Sequence, residues 1–287
     1  MAVPKIELLA VAVPAVVCGG LLLVAWRPWR RDAPIAGGAW GGVIGLGAAY
    51  CLGHAVLEGR PAFPPKEAWH WLAYLVVAAM VIGLLDAMNR WGARARLGAW
   101  VVLAGLTGWL VVLPAAGHAW LWRAGLAVAV FGWLSIINAY ANRVEGASLP
   151  LSLCFAASGA SVLLLLSGNA KLALLAGGVA ASLGTTTVVT WWRPSASLAR
   201  GSVTVLAVII PGLLYSGYSL SFGEIPIWAY ALAAAAPMAA WARQVRPISR
   251  LAGWQATIVA VIASLAATLI AIAGAVAATA STNDFAV

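Results

Sequence analysis

The residues best placed to do chemistry lie near the end of the second apolar segment of the chain. Cys51, His54 and Glu58 have the spacing i, i+3 and i+7, which places all three on one face of a helix. An imidazole and a carboxylate at one depth can bind a divalent metal, relay protons or, with a second histidine, ligate haem. Because ionisable residues are costly inside a membrane, His54 and Glu58 are candidates for a functional site.

The two other histidines are predicted to lie on the same side of the membrane as His54. His70 and His118 lie at the boundaries of apolar segments, as does Glu224, a further candidate for binding. If a metal is bound, its ligands come from His54, Glu58, His70 and His118. The alternative is a set of hydrated boundary acids and interfacial aromatic rings, and we favour it. We therefore expect the histidines to lie apart and predict no cofactor, with metal or haem left open.

Polar residues also gather at the opposite boundaries. Asp86 precedes Arg90 by one helical turn, which predicts an ion pair within one helix. Asn138 and Asn142 lie at the end of the fifth segment, at the same predicted depth as Asp86. A polar cluster of these residues could form a gate on that side, or it could be a network that reaches water.

Two more candidate binding residues lie within apolar segments. Thr186 belongs to a serine and threonine stripe in the seventh segment, and Tyr215 follows Pro211 in the eighth. Prolines inside spans free backbone carbonyls that can line a cavity, as they do at the broken helices of transporters. They are also common in ordinary membrane helices, so this signal alone does not define a transporter.

The composition indicates that the helices carrying these residues lie in a membrane. The 287-residue chain is 63% hydrophobic and only 9% charged, whereas a soluble domain has about 25% charged residues. A spanning helix needs about 20 apolar residues. Ten such segments lie at 7–26, 36–57, 69–89, 97–116, 120–140, 149–167, 170–192, 202–221, 226–243 and 253–280.

We therefore predict an all-α polytopic transmembrane bundle of eight to ten spans, with ten preferred. It forms one integral membrane domain over residues 1–287, with no soluble domain. The short connector between Ser167 and Lys171 leaves a re-entrant hairpin open for the pair of segments around it. Gly41 and Gly45, four residues apart in the second segment, predict a close contact between helices.

The basic residues predict the orientation. If odd-numbered segments run inward, most of the 17 lysines and arginines fall in inner turns, as expected for cytosolic loops. Both termini then lie outside. The first segment is a retained span rather than a secretory signal, because Arg27, Arg30 and Arg31 follow it instead of preceding it. We expect the protein in the inner membrane of a bacterium.

Three functions are compatible with this layout. The first, which we favour, is a permease-like protein for a small neutral or amphipathic solute. The second is a structural subunit of a larger membrane assembly or homo-oligomer. The third is a redox or metal protein that uses the outer histidines and glutamates. No catalytic or nucleotide-binding motif is present, which favours a non-enzymatic protein. The net charge of +9 is dispersed between apolar segments, so we expect lipid as a partner and not nucleic acid.

Overall fold

The computed structural model describes residues 5–29, 39–59, 61, 63–113, 118–199, 201–221, 224–246, 248 and 253–283. These residues form ten α-helices and no strand, which confirms the predicted all-α bundle. The helices are α1 (Lys5–Trp26), α2 (Trp40–Glu58), α3 (Trp71–Ala87), α4 (Ala93–Val111), α5 (Ala119–Ala141), α6 (Ser148–Leu166), α7 (Ala170–Trp192), α8 (Ser202–Leu220), α9 (Ile227–Ala235) and α10 (Gly253–Asn283).

Eight helices in the described part of the chain are long and apolar enough to cross a membrane. The two others are α4, whose first turn carries Arg94 and Arg96, and α9, which has nine residues. After α9 the chain continues as a 3₁₀ helix, Ala236–Gln244, with Pro237 in its first turn. Because proline lacks the N–H of a regular α-helix, it marks the change of helix type.

Both helices of the pair at 149–192 have the length of a full span. The 19 residues of α6 and the 23 residues of α7 reach about 28 and 34 Å at 1.5 Å per residue. The hydrocarbon core of a bilayer is about 30 Å thick. The structure therefore favours two spans over a re-entrant hairpin.

Contacts at the helix ends show that α1, α5 and α7 run in one direction. Arg193, which follows α7, donates a hydrogen bond to the backbone carbonyl of Trp26, the last residue of α1. The Ser197 hydroxyl donates to the carbonyl of Ala141, the last residue of α5, at 3.1 Å. We call this end of the bundle, where the turns after α1, α3, α5 and α7 lie, the basic end.

A contact between helix ends also defines the opposite end of the bundle, which we call the outer end. Lys171 at the beginning of α7 contacts Glu58 at the end of α2, with 2.5 Å between Nζ and Oε1. Helix α2 therefore runs opposite to α1, α5 and α7, as the predicted spans require. The arginine asymmetry predicts that the basic end faces the cytosol.

The middle of the bundle is occupied by α8. Every residue from Ser202 to Leu214 is buried, and a helix that is apolar on all sides is expected in a core. Its first turn lies against the end of α3, where Gly83 and Gly201 allow the two backbones to approach. A Cβ added at Gly83 would lie 2.7 Å from the carbonyl oxygen of Gly201.

The flanks of the bundle expose large apolar side chains. Val102 and Leu106 on α4 and Ile262 and Ile270 on α10 are among those more than two-fifths exposed. Soluble monomers rarely expose apolar patches of this extent. The flanks of the bundle are therefore suited to contact with lipid hydrocarbon.

Candidate functional site

At the outer end, the last turns of α2 meet a 3₁₀ turn, Ala68–His70, that precedes α3. His54 is 1% exposed, and its ring centroid lies 5.6 Å from that of His70 and 5.4 Å from that of Trp69. With Glu58 and Lys171 these residues form a group that we call the outer cluster. The expectation that the histidines lie apart is therefore wrong for His54 and His70.

Local hydrogen bonds fix the 3₁₀ turn. The indole N–H of Trp69 donates to the carboxylate of Glu67, and the backbone N–H of Glu67 donates to His70 Nδ1 at 3.3 Å. Glu67 and His70 thus cap the turn reciprocally. Because Nδ1 accepts a hydrogen bond, the neutral imidazole carries its proton on Nε2.

Glu58 lies between His70 and Lys171. His70 Nε2 lies 3.9 Å from one carboxylate oxygen of Glu58, and Lys171 Nζ lies 2.5 Å from the other. The Glu58 side chain is 22% exposed, whereas Lys171 is largely exposed. The carboxylate therefore joins α2 to α7 and to the turn before α3.

His54 differs from its neighbours in having no hydrogen bond. Both ring nitrogens are buried, and neither has a hydrogen-bond partner within the described residues. A buried polar group without a partner costs about 1–3 kcal/mol. Such a group in a native structure needs an explanation, and a bound solute or an ordered water is one.

A pocket of about 260 Å³ lies beside the outer cluster, between the 3₁₀ turn and the ends of α4 and α8. Glu67 and Trp69 belong to its wall, and the buried hydroxyl of Ser216 has no hydrogen-bond partner in the described structure. We call it the outer pocket. Its lining is Lys66, Glu67, Ala68, Trp69, Leu113, Ser216, Ser219 and Leu220.

The predicted partner of Asp86 is wrong. Asp86 lies 3.5 Å from Arg96 on α4, while Arg90 is exposed. The reason is that α3 ends at Ala87, so Arg90 is no longer on the helix that the i, i+4 rule assumes. The pair ties the end of α3 to the beginning of α4.

Asn138 and Asn142 are not brought together in a single polar site. Asn138 is buried and Asn142 is exposed, and the bond between them joins the backbone N–H of Asn142 to the Asn138 carbonyl at 3.0 Å. This bond caps the end of α5. Both residues remain at the basic end, as their positions in the sequence predict.

The candidates in the middle of the spans lie in separate places. The Thr186 hydroxyl donates to the Ser182 carbonyl at 2.8 Å, which satisfies it within α7. Tyr215 lines an apolar cavity of about 200 Å³ between α5, α8 and α9, together with Pro211 and with Trp122, whose ring centroid is 6.2 Å away.

The remaining candidates, Glu224 and His118, are both exposed. His118 precedes α5 with a φ of 56°. Within the described residues, no group of three histidine, cysteine, aspartate or glutamate side chains has the geometry to hold a metal ion.

The sequence pattern did not identify three residues of this site. Lys171 and Ser216 come from α7 and α8, and Trp69 reads as one of many interfacial tryptophans. The signal for Lys171 was its position as the single charged residue between Ser148 and Trp192. Ser216 carried no signal beyond a general serine content.

Eight of the ten described helices are long and apolar enough to cross a membrane, and the bundle exposes apolar flanks, so the chain is a multi-pass α-helical membrane protein. Comparison with protein-family models, with curated proteins and with solved structures finds no match for this chain.

Proposed function

We propose that this protein is a permease-like carrier of a small neutral or amphipathic solute, which binds in the outer pocket. One observation carries the proposal. The buried hydroxyl of Ser216, which lines a pocket large enough for a solute, has no partner in the described residues, and the same is true of the buried nitrogens of His54, whose ring contacts Trp69 of the pocket wall. A solute that hydrogen-bonds to these groups would remove the cost of burying them.

The lining of the pocket indicates the chemistry of the solute. Lys66 and Glu67 bring opposite charges, so the pocket has no net charge to select an ion. Trp69 and Leu113 provide an apolar wall, and the two serines provide hydroxyls. This combination suits an uncharged molecule with an apolar body and a few hydrogen-bonding groups.

The structure of α8 supports movement of such a solute. One face of α8 lines the outer pocket through Ser216 and Ser219, and another lines the apolar cavity through Pro211 and Tyr215. Proline inside a helix removes one backbone hydrogen bond and permits a bend. A bend at Pro211 would change both cavities together.

A structural subunit is the second candidate, and the packing of α8 favours it. The unbroken burial from Ser202 to Leu214 shows a filled core at the basic half of the bundle, and the apolar flanks could contact other membrane proteins. In either role we place the chain in a bacterial inner membrane, because spans in bacterial outer membranes are β-strands of closed barrels.

Solute flux distinguishes the two candidates. The purified protein is reconstituted into liposomes, and stopped-flow light scattering follows their swelling in gradients of glycerol, propane-1,2-diol, phenol and indole. We expect faster entry of at least one of these probes than in protein-free liposomes. We expect Ser219→Trp, which fills the outer pocket with an indole ring, to return the rate to the protein-free value.

The matched control is Leu106→Trp, which adds the same ring on the lipid-facing side of α4, where Leu106 is 43% exposed. It should leave the flux unchanged. Equal flux with and without the wild-type protein for all four probes would contradict the permease proposal. Equal flux in Ser219→Trp and wild type would contradict the assignment of the pocket.

A further inference from the structure

A second large cavity lies at the basic end of the bundle, and neither the proposed transport nor the outer cluster uses it. It has a volume of about 520 Å³ and lies between α6, α7 and α10. We call it the basic-end groove. The lining residues that concern us are Glu145, Trp191, Arg243, Trp254, Ile258 and Ile262.

Two charges of opposite sign lie at the polar end of the groove. Arg243 is half-buried, and its guanidinium donates to the Ser148 hydroxyl at 3.3 Å. Glu145 is exposed, in the turn between α5 and α6. The next residue, Gly146, has a φ of 82° and donates its N–H to the Ala196 carbonyl at 2.9 Å. The fold thus holds the Arg243 guanidinium and the backbone next to Glu145.

The rest of the groove is an apolar wall that opens to the bilayer. Trp254, Ile258 and Ile262 of α10 follow one another at intervals of four residues and are 67%, 47% and 58% exposed. The distance from the first to the last of them along the helix is about 12 Å. An acyl chain can lie along this wall from the headgroup region into the hydrocarbon.

Tryptophan marks the depth at which the polar end lies. Trp191, at the end of α7, is 73% exposed and lines the groove opposite Trp254. Because indole rings favour the boundary between water and hydrocarbon, Arg243 and Glu145 lie at headgroup level. A molecule in this groove meets charge at one end and hydrocarbon at the other.

We propose that the basic-end groove binds a zwitterionic phospholipid. Arg243 holds the phosphate, because guanidinium groups form charge-assisted hydrogen bonds with phosphate. Glu145 holds the ammonium group, and one acyl chain follows the α10 wall. An anionic lipid would keep the bond to Arg243 but lacks a cation for Glu145. The pairing of charges therefore selects zwitterionic over anionic lipid.

The test measures retained lipid by native mass spectrometry. Purified full-length protein is exchanged into mixed micelles with equal amounts of phosphatidylethanolamine and phosphatidylglycerol. We expect the wild type to retain the ethanolamine lipid about fivefold over the glycerol lipid, as one favourable charge contact predicts. Glu145→Gln should abolish this preference while retaining total lipid. Arg243→Gln should lower both lipids about tenfold.

Three controls separate the groove from general lipid adhesion. Arg94→Gln removes an exposed arginine elsewhere at the basic end and should change nothing. Ile262→Trp obstructs the apolar wall at a lipid-facing position that folding tolerates, and it should lower retention with both charges in place. Soluble glycerophosphoethanolamine, which has no acyl chain, should not compete.

Two results would overturn the proposal. One is equal retention of the two lipids by the wild-type protein. The other is a preference for phosphatidylethanolamine that persists unchanged in Glu145→Gln, together with undiminished lipid retention in Ile262→Trp.

Discussion

Gly201→Ala should destabilise the bundle strongly, although it adds only a single methyl group. Gly201 has a φ of 104°, a conformation that side chains rarely adopt, and its Cα faces the backbone of Gly83. A Cβ at Gly201 would overlap the Gly83 carbonyl oxygen. Because both obstacles are backbone, no side-chain rotation relieves them. We expect a loss of about 4 kcal/mol or more from strain and overpacking together.

The measurement is the thermal unfolding midpoint in detergent, together with the fraction of protein that is monodisperse on size exclusion. Gly201→Ala should lower both strongly. The matched control is Gly105→Ala on the lipid-facing side of α4, where an added Cβ meets nothing within 4 Å. Because alanine is the better helix former, this control should gain about 0.5–1 kcal/mol. Equal midpoints for the two variants would refute the close approach of α3 and α8.

His54→Phe should separate stability from activity. Phenylalanine keeps a ring in contact with Trp69 and His70 but removes two buried nitrogens that have no hydrogen-bond partner in the described residues. Removing an unsatisfied polar group should raise stability by about 1–3 kcal/mol. We expect flux to fall to the rate of protein-free liposomes, because the phenyl ring cannot form hydrogen bonds to the solute or to a water bound to it.

The same light-scattering assay and thermal unfolding of one preparation give both readouts. The control is His118→Asn, because His118 is exposed and has a positive φ that asparagine also adopts. This variant should match the wild type in both assays. A His54→Phe protein that is less stable than the wild type, and equally active, would show that His54 is a structural residue and not part of the site.

Much of the fold could be predicted from the sequence because hydrocarbon imposes a simple rule on the chain. Each span needs a long apolar run, so each helix can be recognised separately in the sequence. The glycine repeat in α2 also predicted packing correctly. A Cβ at Gly45 would lie 3.3 Å from Cys18 Sγ of α1, and one at Gly41 would overlap Ala25.

The candidate site was only partly predictable, because its residues come from separate elements of the bundle. Spacing placed His54 and Glu58 on one face of α2, and both lie at the outer end of the structure. That His70 contacts His54 depends on the packing of the 3₁₀ turn against α2, and sequence spacing does not encode that packing. The partner of Asp86 was missed for a related reason, since the end of α3 decides which arginine reaches it.

We propose that the bundle crosses a bilayer with the outer pocket open to the outside and the basic end in the cytosol. The most direct test introduces one cysteine at Lys66, in the pocket wall, or at Arg94, at the beginning of α4. Both positions are exposed. Intact cells are treated with a membrane-impermeant maleimide. We predict labelling of Lys66→Cys in intact cells and of Arg94→Cys only after permeabilisation. Labelling of both in intact cells, or of Arg94→Cys alone, would contradict the account.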